Sequence, residues 1–335
     1  MKQLLIHIGP HKTGTTAIQN ALRESSEQLA KLQIRYDTLE DYGSLNTHQI
    51  ADSISTGRLE LPARTLEKFS QSQSDTIISS ENFSRLDLDG VRFLKSKLSC
   101  EKIRIIYFLR NPLKRMKSEW QELVKHGYRY TFLEFIAARL SRPVQDRFIN
   151  DEVRIAPWRE VFGIDSIDIH LYDQIENVVE YFFNFYLEMN LDAPKTRVNK
   201  SQDPETTEVL RALLGLQRVF LDRTASNIVE FKELTNSVKL LVEKSGEKYH
   251  KSFSMSMDSL IFRNIESTLV ERNNGAIHGK FEGKKLFSDR SVTWRFISPD
   301  LWLEHPDLTA ALFSLRAGII RSHGIPPLDI RLARI

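Results

Sequence analysis

The chain has 335 residues, 41% of them hydrophobic and 27% charged, values typical of a globular protein that can bury a sizeable core. Its formal net charge of +3 is too small to imply nucleic-acid binding by itself. The single cysteine, Cys100, excludes an internal disulfide and fits a reducing compartment. No apolar run is long enough to span a bilayer, and the N-terminus enters a core strand without a basic leader or a cleavage site. A cytoplasmic setting, without a transmembrane segment and without nucleic acid as partner, is therefore expected.

Leu4, Leu5, Ile6 and Ile8 form a short apolar run that reads as a buried strand. A tight loop follows, Pro10-His11-Lys12-Thr13-Gly14-Thr15-Thr16. Ala17, Ile18, Ala21 and Leu22 then recur on one helical face. Strand, glycine loop and helix N-terminus together make a phosphate grip, because the first-turn amides lack partners and the helix dipole favours an anion. Lys12 adds a full positive charge. The loop departs from Walker A, which needs Lys directly after its second Gly and then Ser or Thr. Here Thr15 and Thr16 follow Gly14, and Lys12 precedes it.

Gln33 to Asp37 reads as a short strand. In Leu45-Asn46-Thr47-His48-Gln49-Ile50-Ala51, Asn46 or Thr47 caps a short helix, and His48 is of a type that serves as base or acid near neutral pH. The alternative for His48 is a partly buried ring hydrogen-bonded to backbone. Thr76 to Ser84 reads as a buried strand ending in a carboxylate. Ligands of open parallel sheets sit outside the carboxyl ends of the strands, so Glu81 projects toward the loop's crevice. As a base it would take a proton from an acceptor hydroxyl. Glu81 could instead hold Mg²⁺ as a Walker B carboxylate does, or be a solvated residue near a helix cap.

Lys102 to Leu109 is a further buried strand, ending in Arg110-Asn111-Pro112. Asn111 suits an N-cap and Pro112 the first helical position. Leu113, Met116, Trp120, Leu123 and Val124 follow at helical spacing. Ser118, about two turns after Asn111, shares a face that begins beside Arg110. A guanidinium and a hydroxyl so placed suit one phosphate. Lys114, Arg115 and Lys117 cluster nearby and would add to a local positive field. Ile167, Ile169 and Leu171 alternate on a strand. An aromatic-rich helix spans Asn177 to Asn190, with Val178, Tyr181, Phe182, Phe185, Tyr186 and Met189 as a core stripe. His11 lines the loop, and His126 complements the C-terminal end of its helix. No role is assigned to His170, His250, His278, His305 or His323. No set of His, Cys, Asp and Glu has metal-ligand spacing, so no metal is expected.

Alternating strands and helices through residue 195 imply an α/β fold, a parallel β-sheet covered by helices on both faces. From Arg197 the pattern becomes helical, with a helix from Asp203-Pro204-Glu205 and others across 227–245 and 258–275. The whole chain, 1–335, reads as one domain, with 1–195 a nucleotide-binding core and 196–335 a helical C-terminal cap.

Pro-x-Lys-x-Gly-Thr-Thr opening a helix resembles the 5′-phosphosulfate loop of sulfotransferases that use 3′-phosphoadenosine 5′-phosphosulfate (PAPS). Arg110 and Ser118, eight residues apart, are similar to the 3′-phosphate site of the same family. The resemblance implies a P-loop-like sulfotransferase fold. Pro10, His11, Lys12, Thr13, Gly14, Thr15 and Thr16 would hold the 5′ end of PAPS, with Arg110 and Ser118 at the 3′ phosphate. ATP has no 3′ phosphate to fill the second site. Glutamate is the base in several sugar sulfotransferases and histidine in the small-molecule enzymes, so Glu81 or His48 is implied. The expected reaction moves a sulfuryl group from PAPS to a hydroxyl, without a metal, leaving 3′,5′-ADP. By analogy the acceptor is a carbohydrate or glycolipid, in a bacterial cytoplasmic enzyme. The family's late Arg-Lys-Gly stretch has no match; residues 197–201 or 279–285 are the candidates to replace it. A P-loop kinase using ATP and Mg²⁺ is the alternative, and a non-catalytic nucleotide-binding protein is a third reading.

Overall fold

Strand β1 (Gln3–His7) carries Leu4, Leu5 and Ile6 into the centre of a five-stranded sheet. The computed structural model describes residues 3–189 other than 44, 72, 73, 129, 143 and 144, and also 206, 207, 211, 236, 240, 310 and 314, each of which is helical. The rest of the C-terminal helices expected from Asp203 onward, and the stretches 197–201 and 279–285, lie outside the described residues. After β1 come α1 (Thr15–Glu24), α2 (Ser26–Lys31), β2 (Ile34–Tyr36), α3 (Thr47–Ser55) and α4 (Glu60–Ser70). Then follow β3 (Asp75–Ser79), α5 (Leu88–Ser96), β4 (Lys102–Leu109), α6 (Pro112–Lys125) and α7 (Phe132–Leu140). The series ends in α8 (Glu152–Phe162), β5 (Ile167–Leu171) and α9 (Val178–Leu187).

The sheet order is β2-β3-β1-β4-β5, and every pairing is parallel. Successive strand residues face opposite layers. Leu4, Ile6, Ile78, Ile105 and Tyr107 pack with Ile50 and Ile54 of α3, Leu66 of α4, Val91 and Leu94 of α5, and Trp158 of α8. Leu5, Ile77, Ile106 and Phe108 pack on the other face with Ile18 and Leu22 of α1, Leu29 of α2, and Phe182 and Phe183 of α9. The fold is thus α/β, a parallel sheet with helices on both faces. Because every strand points the same way, the segments after β1, β3, β4 and β5 all emerge at one edge.

The described residues 3–119 and 139–189 belong to one compact unit, and Trp120–Ala138 belongs to a second. Within that second stretch the Trp120 Nε1 donates to the Tyr130 carbonyl at 3.0 Å. The Trp120 and Phe132 ring centroids stand 5.5 Å apart.

Three local expectations need correction. Strand β3 stops at Ser79, and Glu81–Arg85 forms a short 3-10 helix. Ser80 ends the strand because its side chain accepts the Asn82 amide at 3.2 Å. On α9 the buried stripe runs through Phe182, Phe183 and Leu187, while Phe185 is 54% exposed. Arg115 does not join a surface field beside Arg110. It is buried, pairs with Asp151 at 2.5 Å and donates to the Phe148 carbonyl.

A buried histidine gives this core a pH dependence. His7, at the end of β1, is fully buried between Phe108 and Phe182, and its Nδ1 lies 2.9 Å from the Ser79 hydroxyl. Burial, and then the nearby His170, lower its pKa from 6.5 to about 3. Between those values the unfolded chain binds a proton that the folded chain refuses. Stability should therefore rise with pH across that window, at up to about 1.4 kcal/mol per pH unit from this residue. Denaturant midpoints measured across the window should show a flatter slope for His7→Asn than for the wild type. An unchanged slope would mean that His7 is not buried in its neutral form.

Candidate functional site

The loop after β1 bends by alternating backbone handedness. Gly9, Lys12 and Gly14 have φ of 89°, 68° and 78°, with Thr13 between the last two at negative φ. Left-handed backbone is costly for a side-chain-bearing residue such as Lys12, so the surrounding structure must hold it there. Alternation of this kind curls backbone amides into an anion-binding concavity. The Thr13 hydroxyl closes the loop by donating to the Pro10 carbonyl at 2.6 Å. Gly14 opens α1 without a side-chain cap, so no N-cap side chain occupies the first-turn amides. The Thr15 hydroxyl is buried and has no partner among the described residues, whereas Thr16 is exposed. A Cβ on Gly14 would stand 2.6 Å from Val178 Cγ1, so only glycine lets α9 start this close.

Arg110 leaves the end of β4 and donates from Nη1 to the Lys12 carbonyl at 2.5 Å. Its guanidinium carbon lies 5.2 Å from the centre of the Tyr172 ring. The arginine is thereby tied to the loop itself. Asn111 caps α6, accepting the Leu113 and Lys114 amides at 3.0 and 3.3 Å, and Pro112 takes the first helical position. Both features were legible in the sequence. Ser118 is half-buried on the same helix. Asp173 accepts the Asn111 amide at 2.6 Å and pairs with Lys114 at 3.6 Å. Tyr172 and Asp173 were missed. The signal was their place just past a predicted strand, since Leu109 pairs with Leu171 and so brings Tyr172 level with Arg110.

Glu81 begins the 3-10 helix after β3 and reaches the loop from the other side. The Ser80 amide still bonds to the His7 carbonyl at 3.0 Å, so the strand ends remain in step. Gly9 permits a close approach, because a Cβ there would stand 2.9 Å from Glu81 Cα and 3.0 Å from Glu81 Cβ. The carboxylate lies between two imidazoles. His11 Nδ1 is 3.7 Å from Oε1, and His48 Nδ1 is 3.8 Å from Oε2. Those are distances of charge contact, too long for hydrogen bonds. Glu81 Oε2 and His11 Nε2 are both buried and have no hydrogen-bond partner among the described residues.

Burial is the chief cause that lowers the His11 pKa. Arg85 and Arg154 lower it further, while Glu81 and Glu119 oppose the shift. His48 is 38% exposed, and its Nδ1 lies 2.9 Å from the Ser80 hydroxyl. A capping box of Asn46 and Gln49 fixes the first turn of α3 and therefore the His48 position. Of the two caps the sequence offered, Asn46 is the one used, and the partner of the His48 ring is a serine hydroxyl, not the backbone of the alternative reading. His170 lies elsewhere, bonded to Tyr181 and Tyr186. Loop, Glu81, His48 and Arg110 thus gather at one sheet edge. Among the described residues no group of His, Cys, Asp and Glu is arranged to hold a metal ion, and no helix is long and apolar enough to cross a membrane.

No family model matches the chain, and no curated protein does. Among solved structures, the chain is similar to the crystal structure of a sulfotransferase from Alicyclobacillus acidocaldarius. The two share 13% identity over 83% of this chain and 96% of that one, with a TM-score of 0.40. At that level of likeness the site has to be read from its own residues.

The close approach at Gly9 can be measured. Gly9→Ala adds a methyl against Glu81 and a side chain at positive φ, and should cost about 1–3 kcal/mol of stability. Gly163→Ala is the control, because Gly163 also has positive φ, 81°, but open space around its Cβ. Denaturant unfolding should show the larger loss at Gly9. Equal losses would show that the contact with Glu81 contributes nothing.

Proposed function

We propose that the chain is a PAPS-dependent sulfotransferase acting on a hydroxyl of a carbohydrate or glycolipid. Residues 10–16 would hold the 5′-phosphosulfate, and Arg110 with Ser118 the 3′ phosphate. The acceptor oxygen attacks sulfur in line, a new S–O bond forms, and the bond from sulfur to the 5′-phosphate oxygen breaks. Its electron pair leaves with 3′,5′-ADP, and the acceptor's proton passes to Glu81. Lys12 would neutralise the bridging oxygen as charge grows there, an interaction that strengthens toward the transition state. The sulfuryl group carries less charge than a phosphoryl group, so the transfer would need no metal. The enzyme would work as one catalytic domain in the cytoplasm of a bacterium.

One observation carries this reading. Glu81 Oε2 is buried without a hydrogen-bond donor among the described residues, and Glu81 packs against Gly9 of the loop. A buried carboxylate oxygen without a donor is costly, and an acceptor hydroxyl would satisfy it while presenting the proton to be removed. His48 is the second candidate for the base. A kinase reading is weaker, because no Lys follows Gly14 and β4 is followed by Arg110 instead of an acidic residue. A non-catalytic nucleotide-binding protein would have no use for a buried carboxylate oxygen beside His11 of the loop.

Glu81→Gln keeps the shape and removes the basicity. Transfer from PAPS to a sugar acceptor should fall by roughly two to four orders of magnitude, with binding of 3′,5′-ADP near that of the wild type. His48→Asn should cost less. Collapse in His48→Asn with near-normal turnover in Glu81→Gln would move the base to His48.

A further inference from the structure

The carbonyl of Ser79, the last residue of β3, is held by two side chains from different helices. Gln19 Nε2 of α1 donates to it at 3.2 Å, and Thr47 Oγ1 of α3 donates at 3.2 Å. The Ser79 hydroxyl lies 3.3 Å from Gln19 Nε2 and 2.9 Å from His7 Nδ1. All four residues are buried. Each donor belongs to an element that carries part of the candidate site. Gln19 sits on the helix opened by the loop of Lys12 and Gly14. Thr47 immediately precedes His48. Ser79 stands two residues before Glu81, and Ser80 between them meets His48 through its hydroxyl at 2.9 Å. Nearer the surface, Asn82 Nδ2 donates to Asp52 Oδ1 of α3 at 3.0 Å, whereas the Glu81 carboxylate itself meets His11 and His48 only at charge-contact distances of 3.7 and 3.8 Å. The point at which α1, α3 and the end of β3 all meet is the buried one, at a single peptide oxygen.

We propose that Gln19 and Thr47 are positioning residues, which set the placement of Glu81 and His48 relative to the donor loop by jointly holding the Ser79 carbonyl. The proposal rests on the sulfotransferase reading for its effect on rate, although the link between Thr47 and His48 can be read without any turnover. Both side chains are buried and spend their donors on the protein itself. Their loss misplaces the base without removing it, and a misplacement of about 1 Å costs up to about 100-fold in rate.

The variants are Thr47→Val, which keeps the shape but lacks the hydroxyl, Thr47→Ser, which restores it, and Gln19→Met, which removes the other donor. Three quantities are measured in the full chain: affinity for 3′,5′-ADP, kcat with PAPS and a sugar acceptor, and the NMR shift of the His48 Cε1–H. The last signal is assigned by its disappearance in His48→Asn. Thr47→Val is expected to lower kcat about 10- to 100-fold, to move the His48 signal and to leave 3′,5′-ADP affinity unchanged. Thr47→Ser should return both quantities to wild-type values, and Gln19→Met should lower kcat in the same way. A wild-type His48 signal in Thr47→Val overturns the proposal. So does a loss of 3′,5′-ADP affinity that parallels the loss of kcat, which would signify general loosening. If the wild type shows no transfer from PAPS, the sulfotransferase reading fails, while the His48 signal in folded Thr47→Val still decides the positioning claim.

Discussion

The left-handed backbone at Gly9, Lys12 and Gly14 is the constraint on which the rest of this site depends. It ends β1, turns the chain across the sheet edge and starts α1 within a few residues. A chain bent this sharply brings its amides to one side, the arrangement on which the proposed phosphate contact relies. The two glycines also admit close neighbours that any Cβ would displace, Glu81 at Gly9 and Val178 at Gly14. Arg110 then bonds to the Lys12 carbonyl, so the ends of β3 and β4 and the start of α9 are all referred to the same few peptides.

Much of the edge is supported from beneath by buried charge. Tyr107 and Arg115 both donate to Asp151, joining β4, α6 and the start of α8. Arg154 of α8 donates to the Ser84 hydroxyl at 3.0 Å, and Ser84 donates to the Glu81 carbonyl at 2.8 Å. A buried ion pair adds little net stability, yet removing one partner strands the other charge and is severe. The arrangement therefore fixes geometry more than it adds stability. It holds the short helix of Glu81 and the helix of Ser118 against one cluster.

The sequence was clearest where a local rule acts alone. The apolar runs at Leu4–Ile8 and 102–109, the alternation at Ile167, Ile169 and Leu171, and the Asn111-Pro112 cap all appear in the structure. So does the short strand near residue 35, where Asn46 also caps the next helix. Errors arose where a tertiary contact overrode the pattern. Nothing local marks Arg115 as buried, because its partner Asp151 is distant in sequence. The end of β3 was overrun because one more core residue, Phe83, follows Ser80 from within the 3-10 helix and gives no local sign that the strand has ended. The pairing of His11 and His48 around Glu81 needs three separate segments at one sheet edge. Strand order alone brings them there.

Calorimetric titration of the wild type with adenosine 3′,5′-bisphosphate, in the absence of divalent metal, tests the two-phosphate account most directly. The account predicts saturable binding, clearly tighter than that of 5′-AMP, with Arg110→Ala losing that advantage and keeping the affinity for 5′-AMP. Strong binding of ATP that requires Mg²⁺, with no heat from the bisphosphate, would contradict it and point to a kinase.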